Sequence, residues 1–221
     1  MGITEKSIKL RNKLLAERTI KNLKSRKFDA YYCENKEEAL KMAISLIPKE
    51  DSISWGGSMT MEDIGLISYI KENGYNVIDR DSAKSPQERM EMMRKGLLAD
   101  TFLLSANAIA EEGILVTMDG VGNRVAAICF GPKSVIVVAS INKICSNIDS
   151  AIDRLKNVAS PMNVQRIASG MDAPFGTPCS VTGLCGDCKA DNCICSHLVQ
   201  TRMCKPQGRI KVILVNEDLG F

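Results

Sequence analysis

Histidine is nearly absent from this chain of 221 residues: His197 stands alone. A histidine-centred acid–base mechanism away from that residue is therefore excluded, and a general base elsewhere has to be a carboxylate, a lysine or a thiolate. Long apolar runs are missing as well. Where an apolar leader would follow Met1, nine Lys and Arg residues occur between Lys6 and Lys27. Neither a secretory signal nor a membrane span is expected, and the chain reads as cytoplasmic with no membrane partner. Charge of one sign is also lacking: 29 basic against 26 acidic residues leave +3, which gives no general reason to expect nucleic acid. The glycines follow neither the dinucleotide-binding nor the P-loop spacing, and nothing marks a nicotinamide or flavin site. There is no internal repeat and no long linker.

Cysteine is what the chain has in excess. Six of its nine cysteines fall in one run, Cys179-x5-Cys185-x2-Cys188-x4-Cys193-x-Cys195-x8-Cys204, with Gly183 and Gly186 relaxing the backbone between them. Such a segment either holds a metal or cluster or forms disulfides. A cytosolic setting keeps thiols reduced, and nine is an odd number; both favour metal ligation or catalysis. Soft thiolates suit zinc and iron–sulfur clusters alike. A structural zinc site usually shows two paired clips, of which only Cys185-x2-Cys188 is present, and a ferredoxin-type Cys-x2-Cys-x2-Cys-x3-Cys run is absent. Cys33, Cys129 and Cys145 lie in apolar stretches and read as core residues, since free cysteine packs as a small hydrophobe.

Along the rest of the chain apolar runs and helical patterns alternate. Among the basic residues of the first stretch, Leu10, Leu14, Leu15, Ile20 and Leu23 recur at helical spacing, which predicts an amphipathic helix packed through that stripe with a solvated basic face. Strands are expected at Phe28–Cys33, Ser52–Trp55 and Tyr75–Asp79, with helices at Lys36–Ile47 and Thr60–Glu72. Ser85 opens another helix to about Leu98, with Pro86 in its first turn and Glu88 completing a capping box. Thr101–Ser105, Ile114–Met118, Val125–Phe130 and Val135–Ala139 read as strands buried on both faces. A helix over Ile148–Val158 and a last strand over Arg209–Val215 complete the pattern. This alternation predicts an α/β fold with a mostly parallel central sheet flanked by helices. The expected division is an α/β domain over 1–172, a Cys-rich segment over 173–208 and a strand over 209–221 returning to the domain.

Two motifs outside the cysteine run carry chemistry. Ser54-Trp55-Gly56-Gly57-Ser58-Met59-Thr60 sits where a strand gives way to a helix. In open α/β sheets ligands settle at the carboxyl ends of strands, and a glycine pair there lets backbone N–H groups approach an anion. Gly56, Gly57, Ser58, Thr60 and Glu62 are the candidates; Thr60 also suits a helix cap and Glu62 the helix dipole. The second motif, Asp119-Gly120-Val121-Gly122-Asn123-Arg124, suits a hairpin turn. Its functional residues are Arg124, whose fork fits a carboxylate or phosphate, with Asn123 beside it and Lys143 as a further positive charge. Glu112 and Asp119 are the nearest carboxylates for a general base.

The combination of SWGGSMTMEDIGL, DGVGNRVAAICFGPKSVIVVASINKI, TPCSVTGLCGDC followed by Ile-Cys, and RIKVILVNEDLGF resembles the lactate-utilisation (LUD, formerly DUF162) family in its short stand-alone form from anaerobic bacteria. The resemblance implies a fold similar to the glucosamine-6-phosphate deaminase, ribose-5-phosphate isomerase and CoA-transferase group, which often forms dimers, so a homodimer is one expectation. It also singles out Cys179, Cys185, Cys188 and Cys195 as the ligand set, with Cys193 and Cys204 as extra thiols. Longer members take part in lactate oxidation as components of iron–sulfur complexes, which tips the cofactor toward a [4Fe–4S] cluster, with zinc as the alternative. Three functions follow as expectations. One is a redox or lyase/isomerase-type enzyme of small organic acids, binding a carboxylate or phosphorylated ligand, with Glu112, Asp119 and Arg124 as catalytic residues. Another is an accessory electron-transfer subunit with a redox partner protein. The third is a redox or ligand sensor with a structural zinc site.

Overall fold

The computed structural model describes residues 2–171 and 173–221. Among the described residues ten strands form two sheets. The larger has six parallel strands in the order β1-β10-β7-β4-β2-β3, namely Asp29–Cys33, Ile210–Val215, Ser134–Ser140, Thr101–Leu104, Ser52–Trp55 and Asn76–Val77. Its inner strands are near-continuous Val, Ile and Leu runs, as burial on both faces requires. One face packs Ala16 and Leu23 of helix α1 (Ile3–Ser25) and Ala127 and Ile128 of α6 (Asn123–Cys129). The other packs Ala39 and Ala43 of α2 (Lys36–Ser45), Met61 of α3 (Met59–Asp63) and Leu66 and Ile70 of α4 (Leu66–Glu72). The predicted α/β architecture with a parallel central sheet is the observed one. Among the described residues no helix is long and apolar enough to cross a membrane.

The smaller sheet, in the order β8-β5-β6-β9, was not anticipated: it joins Ile144–Cys145, Ala108–Ala110, Ile114–Asp119 and His197–Thr201. Strand β9 leaves the cysteine run and pairs antiparallel with β6, setting His197 opposite Asp119. Asp172, where the expected 172/173 boundary falls, lies outside the described residues. From there the chain passes through α9 (Pro178–Thr182) and the cysteines to β9, then returns to β10 inside the large sheet.

Several local expectations are corrected. Val125–Phe130 is not a strand: Val125–Cys129 belongs to α6, which begins after Gly122 at φ +90, and Phe130 is the extended residue that ends it. Asp119-Gly120 is accordingly a strand-to-helix turn and not a hairpin. The expected Thr60–Glu72 helix is interrupted by Gly65 at φ +72, giving α3 and α4, and its cap is Ser58, which accepts from Met61 N. The helix at Ile148 does not stop near Val158. It runs as α7 (Ile148–Arg154) through a π-helical turn, Leu155–Ala159, into α8 (Ser160–Ala168). Pro161 accounts for the widening, because a proline removes one backbone donor and crowds the preceding turn. Leu10 and Leu14 of α1 are exposed, and only its second half, from Leu15, is buried. Of the three cysteines read as core, Cys33 is buried and Cys145 half-buried, but Cys129 is exposed at the end of α6.

The expected helix α5 (Pro86–Gly96) forms with the chemistry read from its sequence. The Ser85 side chain accepts from Glu88 N at 3.1 Å, and Glu88 accepts in return from Lys84 N at 2.6 Å.

Candidate functional site

The carboxyl ends of four parallel strands converge on one cleft. After β2 come Gly57 and Ser58, after β4 Ser105 and Asn107, after β7 Lys143, and after β10 Phe221; all line a narrow lobe of about 40 Å³. A wider lobe of about 250 Å³ adds Arg80, Arg89, Asp119, Gly120 and Asn123. Gly57, Arg124, Asn163 and Arg166 border both lobes. Crossover topology produces this juxtaposition, since each parallel strand ends at the same side of the sheet.

Asp119 and Arg124 form the rigid centre of the cleft. Asp119 accepts from Arg124 N at 2.8 Å, from Arg124 Nε at 3.1 Å and from Gly120 N at 3.2 Å. Side-chain exposures of 7% for Asp119 and 16% for Arg124 make this a largely buried pair. Arg124 Nη2 also donates to the Met118 carbonyl. Asp119 is thus occupied in holding Arg124 and the first turn of α6, a positioning role and not that of a free base. Gly56 completes the arrangement: a Cβ there would lie 2.4 Å from Arg124 Cγ and 2.5 Å from Cδ. The glycine pair leaves room for arginines, with Arg124 over Gly56 and Arg80 Nη2 over Gly57. Gly56→Ala should therefore cost about 1–3 kcal/mol of stability and displace Arg124, as read by denaturant unfolding and by anion binding. Gly57→Ala, which meets one terminal atom of Arg80 at 2.7 Å where Gly56→Ala meets two stem atoms of Arg124, should be milder; equal effects would refute this account.

Lys143 is buried, and its ammonium donates to Thr60 Oγ1 at 2.8 Å and Ser105 Oγ at 3.1 Å. Its partners are hydroxyls, not carboxylates. Burial pushes its pKa down to about 7, helped by Arg154 and Arg124 and opposed by Asp63. A lysine in this condition is a donor or a base near neutral pH.

The structure therefore brings together Gly56, Gly57, Ser58, Asp119, Asn123, Arg124 and Lys143 around the cleft, with Thr60 beneath as the partner of Lys143. Two candidates stand apart. Glu112 is exposed in the β5–β6 turn, its carbonyl accepting from Arg26 Nε at 2.7 Å, and lies a whole strand away from Asp119. Glu62 is exposed on α3. Sequence reasoning missed Arg80, Arg89, Asn163 and Arg166, which no local motif connects. Asp81 joins two of them, pairing with Arg89 at 2.8 Å and Arg80 at 3.7 Å while accepting from Trp55 Nε1 at 3.1 Å.

Beside the cleft, five thiols line a second cavity of about 80 Å³: Cys179, Cys185, Cys188, Cys193 and Cys195, walled by Met118, Ser160, Pro161 and Val164. The two spaces adjoin. Ile194 borders both, and successive residues of β6, Met118 and Asp119, face the thiols and the cleft respectively. Gln165 Nε2 holds the start of the loop by donating to the carbonyls of Cys179 at 2.9 Å and Ser180 at 3.1 Å. Burial raises the Cys195 thiol, although a hydrogen bond from Ser160 opposes this, and burial raises Cys193 as well. A raised thiol stays protonated until a metal or other cation that favours the thiolate displaces the proton. Among the described residues no three His, Cys, Asp or Glu side chains are arranged to hold a metal ion. Cys204 is elsewhere, buried in the main core with its sulfur accepting from Ile210 N at 3.2 Å.

The LUD domain family model matches residues 16–215. The chain belongs to the LUD domain family. The crystal structure of a DUF162 family protein from Deinococcus radiodurans matches with a TM-score of 0.53 and 13% identity, covering 93% of this chain and 98% of that one; at this identity the likeness is one of fold. No curated protein matches the chain.

Proposed function

We propose that this LUD-domain protein is an iron–sulfur redox protein of small organic acid metabolism that binds an anionic ligand, a carboxylate or a phosphorylated acid, in the arginine cleft. The observation that carries the reading is the adjacency of the thiol cavity and the cleft across Ile194 and the last two residues of β6. Cys179, Cys185, Cys188 and Cys195 are the proposed ligands, with Cys193 as a spare thiol in the same cavity. Four thiolates suit zinc as well; the uneven spacing, with Cys185-x2-Cys188 as its one paired clip, favours a [4Fe–4S] group over a structural zinc site. Such a cluster supplies one-electron transfer when bound. The chain's own residues do the rest: Asp119 orients Arg124 against the ligand's anionic group, Ser58 and Ser105 offer hydroxyls, and Lys143 moves or holds a proton near neutral pH.

Anaerobic reconstitution tests this. The loaded protein should show a broad visible absorption that bleaches with dithionite, with iron and labile sulfide in stoichiometric amounts. Serine at Cys179, Cys185, Cys188 or Cys195 should abolish or strongly weaken it, whereas Cys193→Ser should keep it. A colourless protein carrying one zinc per chain sinks the redox reading and leaves a structural site.

A further inference from the structure

We propose that the cleft takes a single ligand bearing both kinds of anion, a phosphate monoester of a small carboxylic acid. Its phosphate lies in the wide lobe against Arg80, Arg89 and Arg166, and its carboxylate in the narrow lobe beside Ser58 and Lys143. The inference rests on reading this cleft as the ligand site, and is independent of what the thiols hold.

Charge is the first argument. Five cations border the two lobes, Arg80, Arg89, Arg124, Arg166 and Lys143. Among the described residues three carboxylates answer them: Asp119 is committed to Arg124, Asp81 is shared between Arg80 and Arg89, and Asp63, outside both lobes, acts on Lys143. Arg166 donates only to the Asn163 side chain, at 2.8 and 3.1 Å, and Lys143 only to hydroxyls. Among the described residues Asp119 is the one acidic side chain lining either lobe. A monocarboxylate would neutralise one charge of this surplus; a phosphate ester brings about −1.5 to −2 near neutral pH, and a carboxylate on the same molecule adds one more.

Donor geometry is the second. Arg80 has a side chain only 12% exposed, and its buried Nε, 3.7 Å from Asp81 Oδ1, makes an ion pair there but no hydrogen bond among the described residues. Its Nη1 reaches only the sulfur of Met93, at 3.7 Å, and its Nη2 lies over Gly57. A buried guanidinium with spare donors is stabilised by an acceptor with several oxygens, and the planar fork matches phosphate. Size favours this order: the wide lobe of about 250 Å³ has the more room for a tetrahedral dianion, and the narrow one of about 40 Å³ suits the smaller planar group. Burial holds the Lys143 amine close to neutrality, which suits a hydrogen-bonded carboxylate more than a dianion.

Titration calorimetry on the full chain with three probes tests the proposal: phosphoglycolate, glycolate, which lacks the phosphate, and inorganic phosphate, which lacks the carboxylate. Phosphoglycolate should bind at least about tenfold more tightly than either. Arg89→Ala and Arg166→Ala, both at solvent-facing side chains, should each weaken phosphoglycolate and phosphate roughly tenfold or more; Arg89→Ala, confined to the wide lobe, should leave glycolate unchanged, whereas Arg166→Ala, which borders both lobes, should weaken glycolate as well. Glycolate binding without any gain from the phosphate overturns the inference but leaves the carboxylate reading standing. Phosphate affinity unchanged in both arginine variants also overturns it. If none of the three probes binds, both this inference and the cleft as ligand site fail.

Discussion

Replacing Lys143 with methionine should stabilise the fold at pH 6 by about 2–4 kcal/mol and give no gain at pH 10. The sign follows from linkage. Folding lowers the lysine pKa from 10.5 to about 7, so between those values the unfolded chain binds more protons and stability rises with pH. Below pH 7 both states are charged and the folded protein carries the whole cost of the buried ammonium, on the order of 5 kcal/mol. Arg124 and Arg154 raise that cost and Asp63 relieves part of it. Methionine keeps the apolar stem without the charge, at the expense of leaving the Thr60 and Ser105 hydroxyls without their donor, about 1–3 kcal/mol. Urea unfolding at pH 6, 8 and 10 measures the difference. A gain independent of pH would show that the ammonium is not buried in the way described. The same substitution should remove the carboxylate end of the cleft, so stability at pH 6 and ligand affinity are expected to move in opposite directions.

Asp119→Ala should destabilise the fold by about 3–5 kcal/mol, the largest loss expected of any single exchange in the cleft. It leaves the Arg124 guanidinium largely buried without its counter-charge and strips the first turn of α6 of an acceptor for the Arg124 and Gly120 N–H groups. Asn in place of Asp keeps an acceptor oxygen and should lose less. Glu112→Ala, by contrast, removes an exposed side chain at the far end of β6 and should stay within about 0.5 kcal/mol. Denaturant midpoints at constant slope separate the three. Comparable losses for Asp119→Ala and Glu112→Ala would contradict the placement of these two carboxylates.

How far the sequence announces these features depends on whether the determinant is local. Strands β2, β4, β7 and β10 are legible because an apolar run between turns has one natural home in a sheet covered on both sides. Helix α5 is legible because its cap, its proline and its glutamate are neighbours in the chain. Val125–Phe130 is also a short apolar run, and periodicity cannot tell a buried strand from a buried helix of seven residues. What decides it is Asp119, which reaches forward to the N–H of Arg124. In the cleft, Gly57, Ser58, Asn123, Arg124 and Lys143 are readable from the residues that follow strands. Arg80, Arg89 and Arg166 are not, since they come from a short turn, the middle of α5 and the end of α8, and only the crossover connections assemble them. Cys193 falls outside the family spacing, yet lines the same cavity as the other four thiols.

The position of β10 bears on how the protein is made. It pairs with β1 on one side and β7 on the other, so a nascent chain synthesised only as far as the cysteine run has two open strand edges where the middle of its sheet should be. Contacts this far apart in sequence form slowly, and the thiols leave the ribosome before the strand that completes the sheet. During that interval β6, which walls the thiol cavity through Met118 and packs Leu115 into the main core, rests on an incomplete sheet. Under the proposed function, loading of the cluster competes with chain completion, and the yield of loaded protein is then expected to respond to the rate of translation as well as to the supply of iron.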